Sequence, residues 1–168
     1  TCLNAYTVGG TVSGLVGTGL SLSLSAGGLQ SVSPSGDGSF SFPSLVVTGT
    51  GFTAAVTGSP ANQLCSATGT SGTVLNANVT SIVVTCVNTW SIGGTVTGLT
   101  GTGLQLAVNG GAANNVSGPF TLSPRIPNGG MYTVSIVTQP VGQLCLVTNG
   151  SGTATGNVTN VAILCAAT

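Results

Sequence analysis

The side chains of this chain most able to do covalent chemistry are five cysteines, Cys2, Cys65, Cys86, Cys145 and Cys165. Thiols can form disulfides, hold metal ions or attack as nucleophiles. Structural zinc sites take thiols at close spacing, or thiols joined by imidazoles. The chain has no CxxC pair and no histidine, so no metal and no other cofactor is expected. Disulfides in an oxidising compartment are the expected use of the thiols. Proton transfer at neutral pH draws on His, Asp, Glu, Lys or a tuned Cys. Asp37 and Arg125 are the only two charged side chains present. Serine and threonine abound, but a nucleophilic hydroxyl needs a base beside it. No GxSxG motif occurs, the glycine-rich stretches lack the lysine of a phosphate loop, and one carboxylate cannot hold calcium. The chain is expected not to be an enzyme.

The same shortage of charge limits the partners. Charged residues make up 1% of the chain, against about 25% in ordinary soluble domains. One arginine cannot supply the phosphate contacts of nucleic-acid binding, nor the attraction to an anionic membrane surface. The longest apolar runs, such as Ile82-Val83-Val84 and Val161 to Cys165, are far too short to span a bilayer, so no membrane insertion is expected. Apolar residues still form 41% of the chain, enough for packed cores and unlike a disordered segment. A net charge near zero removes the repulsion that keeps molecules apart, so association with copies of itself is the expectation. No basic stretch follows Thr1, and the sequence therefore reads as a mature form or an excerpt.

An internal repeat organises the chain. Thr1-Cys2-Leu3-Asn4-Ala5-Tyr6 and the following Gly9-Gly10 match Thr85-Cys86-Val87-Asn88-Thr89-Trp90 and Gly93-Gly94. Gln63-Leu64-Cys65 matches Gln143-Leu144-Cys145, and the stretch from Asn78 to Cys86 matches that from Asn157 to Cys165. Two copies of one module are expected over 6–87 and 88–168, with 1–5 equivalent to the closing strand of a preceding module. Within each copy the elements read as β-strands. Leu20, Leu22 and Leu24 alternate with serines, and Tyr132, Val134 and Ile136 alternate with Thr133 and Ser135. No segment keeps a helical period. Strands are expected near 6–13, 18–26, 29–33, 38–43, 51–57, 63–69 and 79–86 in the first copy. Seven short strands punctuated by Gly, Pro and Asn fit two tandem immunoglobulin-like Greek-key β-sandwich modules, an all-β fold, with a Greek-key barrel as the competing topology.

The pattern Tyr6-Thr7-Val8-Gly9-Gly10-Thr11-Val12-Ser13-Gly14-Leu15, then Gly17-Thr18-Gly19-Leu20, Gln63-Leu64-Cys65, and a closing Asn78-Val79-Thr80 strand ending at Cys86 resembles a bacterial repeat family. That family occurs in large secreted or surface-anchored proteins as tandem immunoglobulin-like modules. The resemblance covers nearly the whole chain, twice, and implies an extracellular or cell-surface, non-catalytic β-sandwich. The near absence of charge departs from the family pattern and points to a closely packed setting.

Within each copy Cys65 pairs naturally with Cys86, and Cys145 with Cys165. Either loop, closed by a disulfide, is worth about 3 kcal/mol in the chain-entropy model. A shifted register, Cys2–Cys65 and Cys86–Cys145, leaves Cys165 over instead. Cys2 aligns with Cys86, so it is the remnant of a preceding repeat or simply a free thiol, or else Thr1–Ala5 reaches into a neighbouring subunit by strand addition or a disulfide. Asp37, in a Ser-Gly-Asp-Gly turn, and Arg125, in a Ser-Pro-Arg-Ile-Pro loop, are candidates for an inter-subunit pair. Tyr6 and Trp90 share one repeat position and are expected to pack at the module junction, with Phe40, Phe42 and Phe120 facing the cores. Asn78, Asn115, Asn149 and Asn157 open Asn-x-Ser/Thr sequons and are candidate glycan sites. The expected function is that of a structural subunit of an extracellular filament, a homopolymer assembling head-to-tail. The alternatives are spacer repeats of a surface adhesin and, behind them, a carbohydrate-binding module using Trp90.

Overall fold

Seventeen strands and no helix make up the described part of the chain, residues 3–168 of a computed structural model. Thr1 and Cys2 lie outside the described residues. The first strands are β1 (Ala5–Tyr6), β2 (Val8–Ser13), β3 (Ser21–Ser25), β4 (Leu29–Val32), β5 (Gly38–Ser41), β6 (Val46–Val47), β7 (Gly51–Gly58), β8 (Gln63–Thr68) and β9 (Ser71–Thr73). There follow β10 (Val79–Thr97), β11 (Gln105–Val108), β12 (Asn114–Asn115), β13 (Phe120–Pro127), β14 (Gly130–Thr138), β15 (Gln143–Thr148), β16 (Ser151–Ala154) and β17 (Val158–Ala167). The chain divides after Asn88 into two compact units, and β10 supplies strand residues to both.

In the first unit one sheet runs β8-β10-β2-β5 and a second runs β4-β3-β7-β9, with β1 and β6 forming a short extra pair. In the second unit the sheets run β15-β17-β10-β13 and β12-β11-β14-β16. The first and last strands of a unit lie side by side in parallel, β2 with β10 and β10 with β17, whereas the other ladders are antiparallel. Separate sheets, rather than one closed cylinder, are consistent with a β-sandwich. The alternation of leucine and serine explains the layering: Leu20, Leu22 and Leu24 are buried, and Ser21, Ser23 and Ser25 face away. Val8, Val12, Ile82 and Val84 join Leu22, Leu24, Phe52 and Ala54, so both sheets of the first unit feed one core. Ile92, Val161 and Ile163 with Leu106, Val108 and Val134 do the same in the second.

The Gly-Gly of each copy sits where the parallel ladder slips register, between Val79 and Ile82 in the first unit and between Ile92 and Gly94 in the second. A methyl group on Gly10 would fall on the Ile82 carbonyl, and one on Gly94 on the Val161 carbonyl. Gly9 and Gly93 meet the carbonyls of Phe40 and Phe120 on the opposite side. Only a residue without Cβ lets the first strand lie this close to both neighbours.

Two short strands, β6 and β9, escape the sequence pattern because Val46–Val47 is too brief, and Ser71–Thr73 too polar, to alternate. The Ser-Pro-Arg-Ile-Pro segment is not a loop: it lies in β13, the edge strand beside β10. An edge strand bonds on one side only, which is why two prolines fit there.

Candidate functional site

Both charges of the chain are held by neighbouring backbone within their own unit. Asp37, in the turn before β5, accepts hydrogen bonds from the Gly14 and Leu15 N–H groups at 3.0 and 2.7 Å. Its carboxylate closes the turn after β2, where Gly14 has φ of 73°, a conformation glycine adopts without strain. Arg125 donates from Nε to the Thr89 hydroxyl at 3.0 Å and from Nη2 to the Thr89 carbonyl at 2.7 Å. Each charge therefore has hydrogen-bond partners within its own unit.

The glutamine of each Gln-Leu-Cys motif is the most heavily used polar side chain of its unit. Gln63 is 7% exposed and Gln143 is 8% exposed. Gln63 Nε2 donates to the Gly14 carbonyl at 2.7 Å and to Asn88 Oδ1 at 3.2 Å, while its Oε1 accepts from the Val16 N–H at 2.8 Å. Gln143 repeats this clamp: Nε2 donates to the Gly98 carbonyl at 2.8 Å, and Oε1 accepts from the Thr100 and Gly101 N–H groups at 2.8 and 2.7 Å. The turn after the first strand is thus stapled to the edge strand that carries the cysteine. Gln143→Ala is expected to lower the stability of the second unit by about 2–3 kcal/mol, since it removes three hydrogen bonds that a buried side chain makes to the turn at Gly98, Thr100 and Gly101. Chemical denaturation read against the unchanged first unit checks this.

The cysteines pair within each unit, Cys65 with Cys86 and Cys145 with Cys165. In both cases the bonded residues stand directly opposite on adjacent antiparallel strands, and all four are buried. The disulfides therefore belong to the cores and are not exposed thiol chemistry.

Tyr6 and Trp90 pack against the core of the unit each belongs to, and Trp90 donates its indole N–H to Asn128 Oδ1 at 2.9 Å. Phe42 is buried, with Phe40 edge-on to it at 5.9 Å, and Phe120 is half-buried against the second core. The four sequon asparagines are exposed. Asn78 and Asn157 are equivalent: Asn78 Oδ1 accepts from the Thr7 N–H, and Asn157 Oδ1 from the N–H and hydroxyl of Ser91, all at 3.0 Å. They tie the start of each closing strand to the strand that opens the unit. Asn115 Oδ1 accepts from Gln105 at 3.0 Å. Asn149, at φ of 56°, donates Nδ2, the atom a glycan would occupy, to the Asn160 carbonyl at 3.2 Å.

Concave surface is modest. A groove of about 310 Å³ lies over Gly9 and Gly10, lined also by Thr7, Thr11, Ser39, Ser41 and Thr80, with no ionisable group. Among the described residues no three His, Cys, Asp or Glu side chains gather, and no helix is long and apolar enough to cross a membrane. What the molecule does present is sheet surface made of hydroxyls and apolar side chains. Compared with protein families and with curated proteins, the chain matches none.

Proposed function

We propose that this chain is a structural subunit of an extracellular or cell-surface filament, built of two tandem immunoglobulin-like modules and assembling head-to-tail with copies of itself. The observation that carries the reading is the state of the two charges. Asp37 and Arg125 are the only ones in the chain, and both are bonded to backbone close by. The rest of the exposed surface is uncharged and includes large apolar side chains such as Leu29, Met131 and Val141. A surface of this kind has little long-range repulsion and little charge to desolvate on contact.

Other features fit the same reading. Each unit has two four-stranded sheets with connections that cross between them, the layering of an immunoglobulin-like sandwich. The first strand lies beside the last, not beside the second as in the constant-type order, so the likeness is one of layers. Two disulfides suit an oxidising, extracellular setting. The Gln clamps, Asn ties and buried disulfides all stiffen a module, which serves a load-bearing part.

Electron microscopy of purified native material tests the proposal, with filaments as the expected result. Contacts made by apolar groups and hydroxyls are hardly screened by salt, so the filaments should survive from acid to base and from low to high ionic strength. Dispersal by salt alone would count against the reading, and a molecule that stays monomeric in every condition would remove it.

A further inference from the structure

The outer faces of the two disulfide-bearing strand pairs are equivalent by repeat and differ in where they carry apolar bulk. In the second unit, Leu144, Leu146 and Leu164 project outward from β15 and β17 and are 52%, 63% and 61% exposed. Leu146 stands directly opposite Leu164, and Leu144 opposite Ala166, so the three leucines form one contiguous ridge. In the first unit the row equivalent to Leu146 and Leu164 is Ser66 opposite Thr85. Leu64 opposite Val87 bounds that small row on one side, and Val83 opposite Thr68 bounds it on the other. The first unit thus offers a shallow apolar-rimmed gap at the place where the second carries a ridge. No charged side chain belongs to either strand pair.

The geometry points to a docking contact in which the Leu146–Leu164 ridge of one copy seats in the Ser66–Thr85 gap of the next. It rests on the filament reading above and specifies the surfaces. The occupant is a second copy of this chain because the two faces complement each other in size and in charge. Ordinary protein surfaces are about a quarter charged, and packing one against the leucine ridge would desolvate those charges. A second copy brings none. The contact joins unlike surfaces, so a copy whose gap is filled still offers its ridge to another copy, as head-to-tail assembly needs.

The repeat provides its own test, because each substitution installs the residue that the sister unit already carries at the equivalent position. Sedimentation is measured for four full-length chains: the unaltered chain, L146S/L164T, S66L/T85L, and the chain with all four changes. Removing the ridge is expected to raise the concentration needed for assembly by about thirtyfold or more. Filling the gap should do the same by steric exclusion. The four-change chain carries the leucine pair on the first unit and the small row, beside Leu144, on the second, and is expected to assemble again, which a mere folding defect would not allow. Assembly of L146S/L164T or of S66L/T85L at the original concentration overturns the contact while leaving the filament reading intact. A four-change chain that folds, by its melting curve, and stays dispersed also overturns it. An unaltered chain that never assembles overturns the filament reading, and the contact with it.

Discussion

Gly94→Ala is expected to destabilise the second unit severely, and Gly10→Ala the first. In each case the new methyl group would occupy the position of a backbone carbonyl, of Val161 or of Ile82. That oxygen belongs to the strand paired in parallel with the glycine's own, so no side-chain rotation relieves the overlap. The ladder must open instead, at the point where Gly93 and Gly9 leave no room for a side chain toward the carbonyls of Phe120 and Phe40 on the other side. Opening it breaks hydrogen bonds and disturbs the core beneath. The expected loss is about 4 kcal/mol or more, a large part of the 5–15 kcal/mol that holds a small domain together. Gly36→Ala and Gly156→Ala provide the contrast, since a methyl at either meets nothing within 4 Å; their effect should stay within about 0.5 kcal/mol. Thermal unfolding followed by circular dichroism distinguishes them. A Gly94→Ala chain melting as the unaltered one does would show that the strands can separate without penalty.

The second large effect is expected from the disulfides. Removing Cys145–Cys165 as the double substitution C145A/C165A should lower the stability of the second unit by about 3 kcal/mol, through the added freedom of the unfolded chain. For a unit of this size that corresponds to a fall in melting temperature of roughly 15 °C. Both sulfurs are buried, and Cys145 is further fixed by a hydrogen-bonded pair with Gln139: its N–H donates to Oε1 at 2.8 Å, and Nε2 donates to its carbonyl at 3.0 Å. Reducing agent added to the native chain should therefore act slowly, and much faster once the unit is opened by denaturant. Calorimetry of the oxidised, substituted and reduced chains gives the comparison. Identical melting of all three would mean that the bond constrains nothing beyond what the strand pairing already fixes.

Much of the architecture is legible in the residues alone. The two-residue alternation at Leu20, Leu22 and Leu24 identifies a strand and its buried side, because successive side chains of a strand point to opposite faces. The repeated Asn-Val-Thr segments place the closing strands, and the count of ionisable groups bounds the chemistry. Other features are hidden. Ser71-Gly72-Thr73 carries no apolar signal, yet it pairs with β7 as β9. The prolines around Arg125 read as a loop because proline lacks the N–H that a central strand needs, and only an edge position accommodates them. Gln63 and Gln143 are visible as repeated residues without a role. A polar side chain reveals its task only when its partners, here the turns at Gly14 and Gly98, come from distant sequence.

That the chain is made of strands, that it repeats and that it carries almost no charge can be read from the residues alone, since each is a property of residue types and their spacing. Which strands neighbour one another, which glycines admit no side chain, and where a leucine ridge faces outward were decided only in three dimensions. Every strand presents the same backbone donors and acceptors, so pairing is chosen by packing between residues far apart in the chain and leaves no local signature.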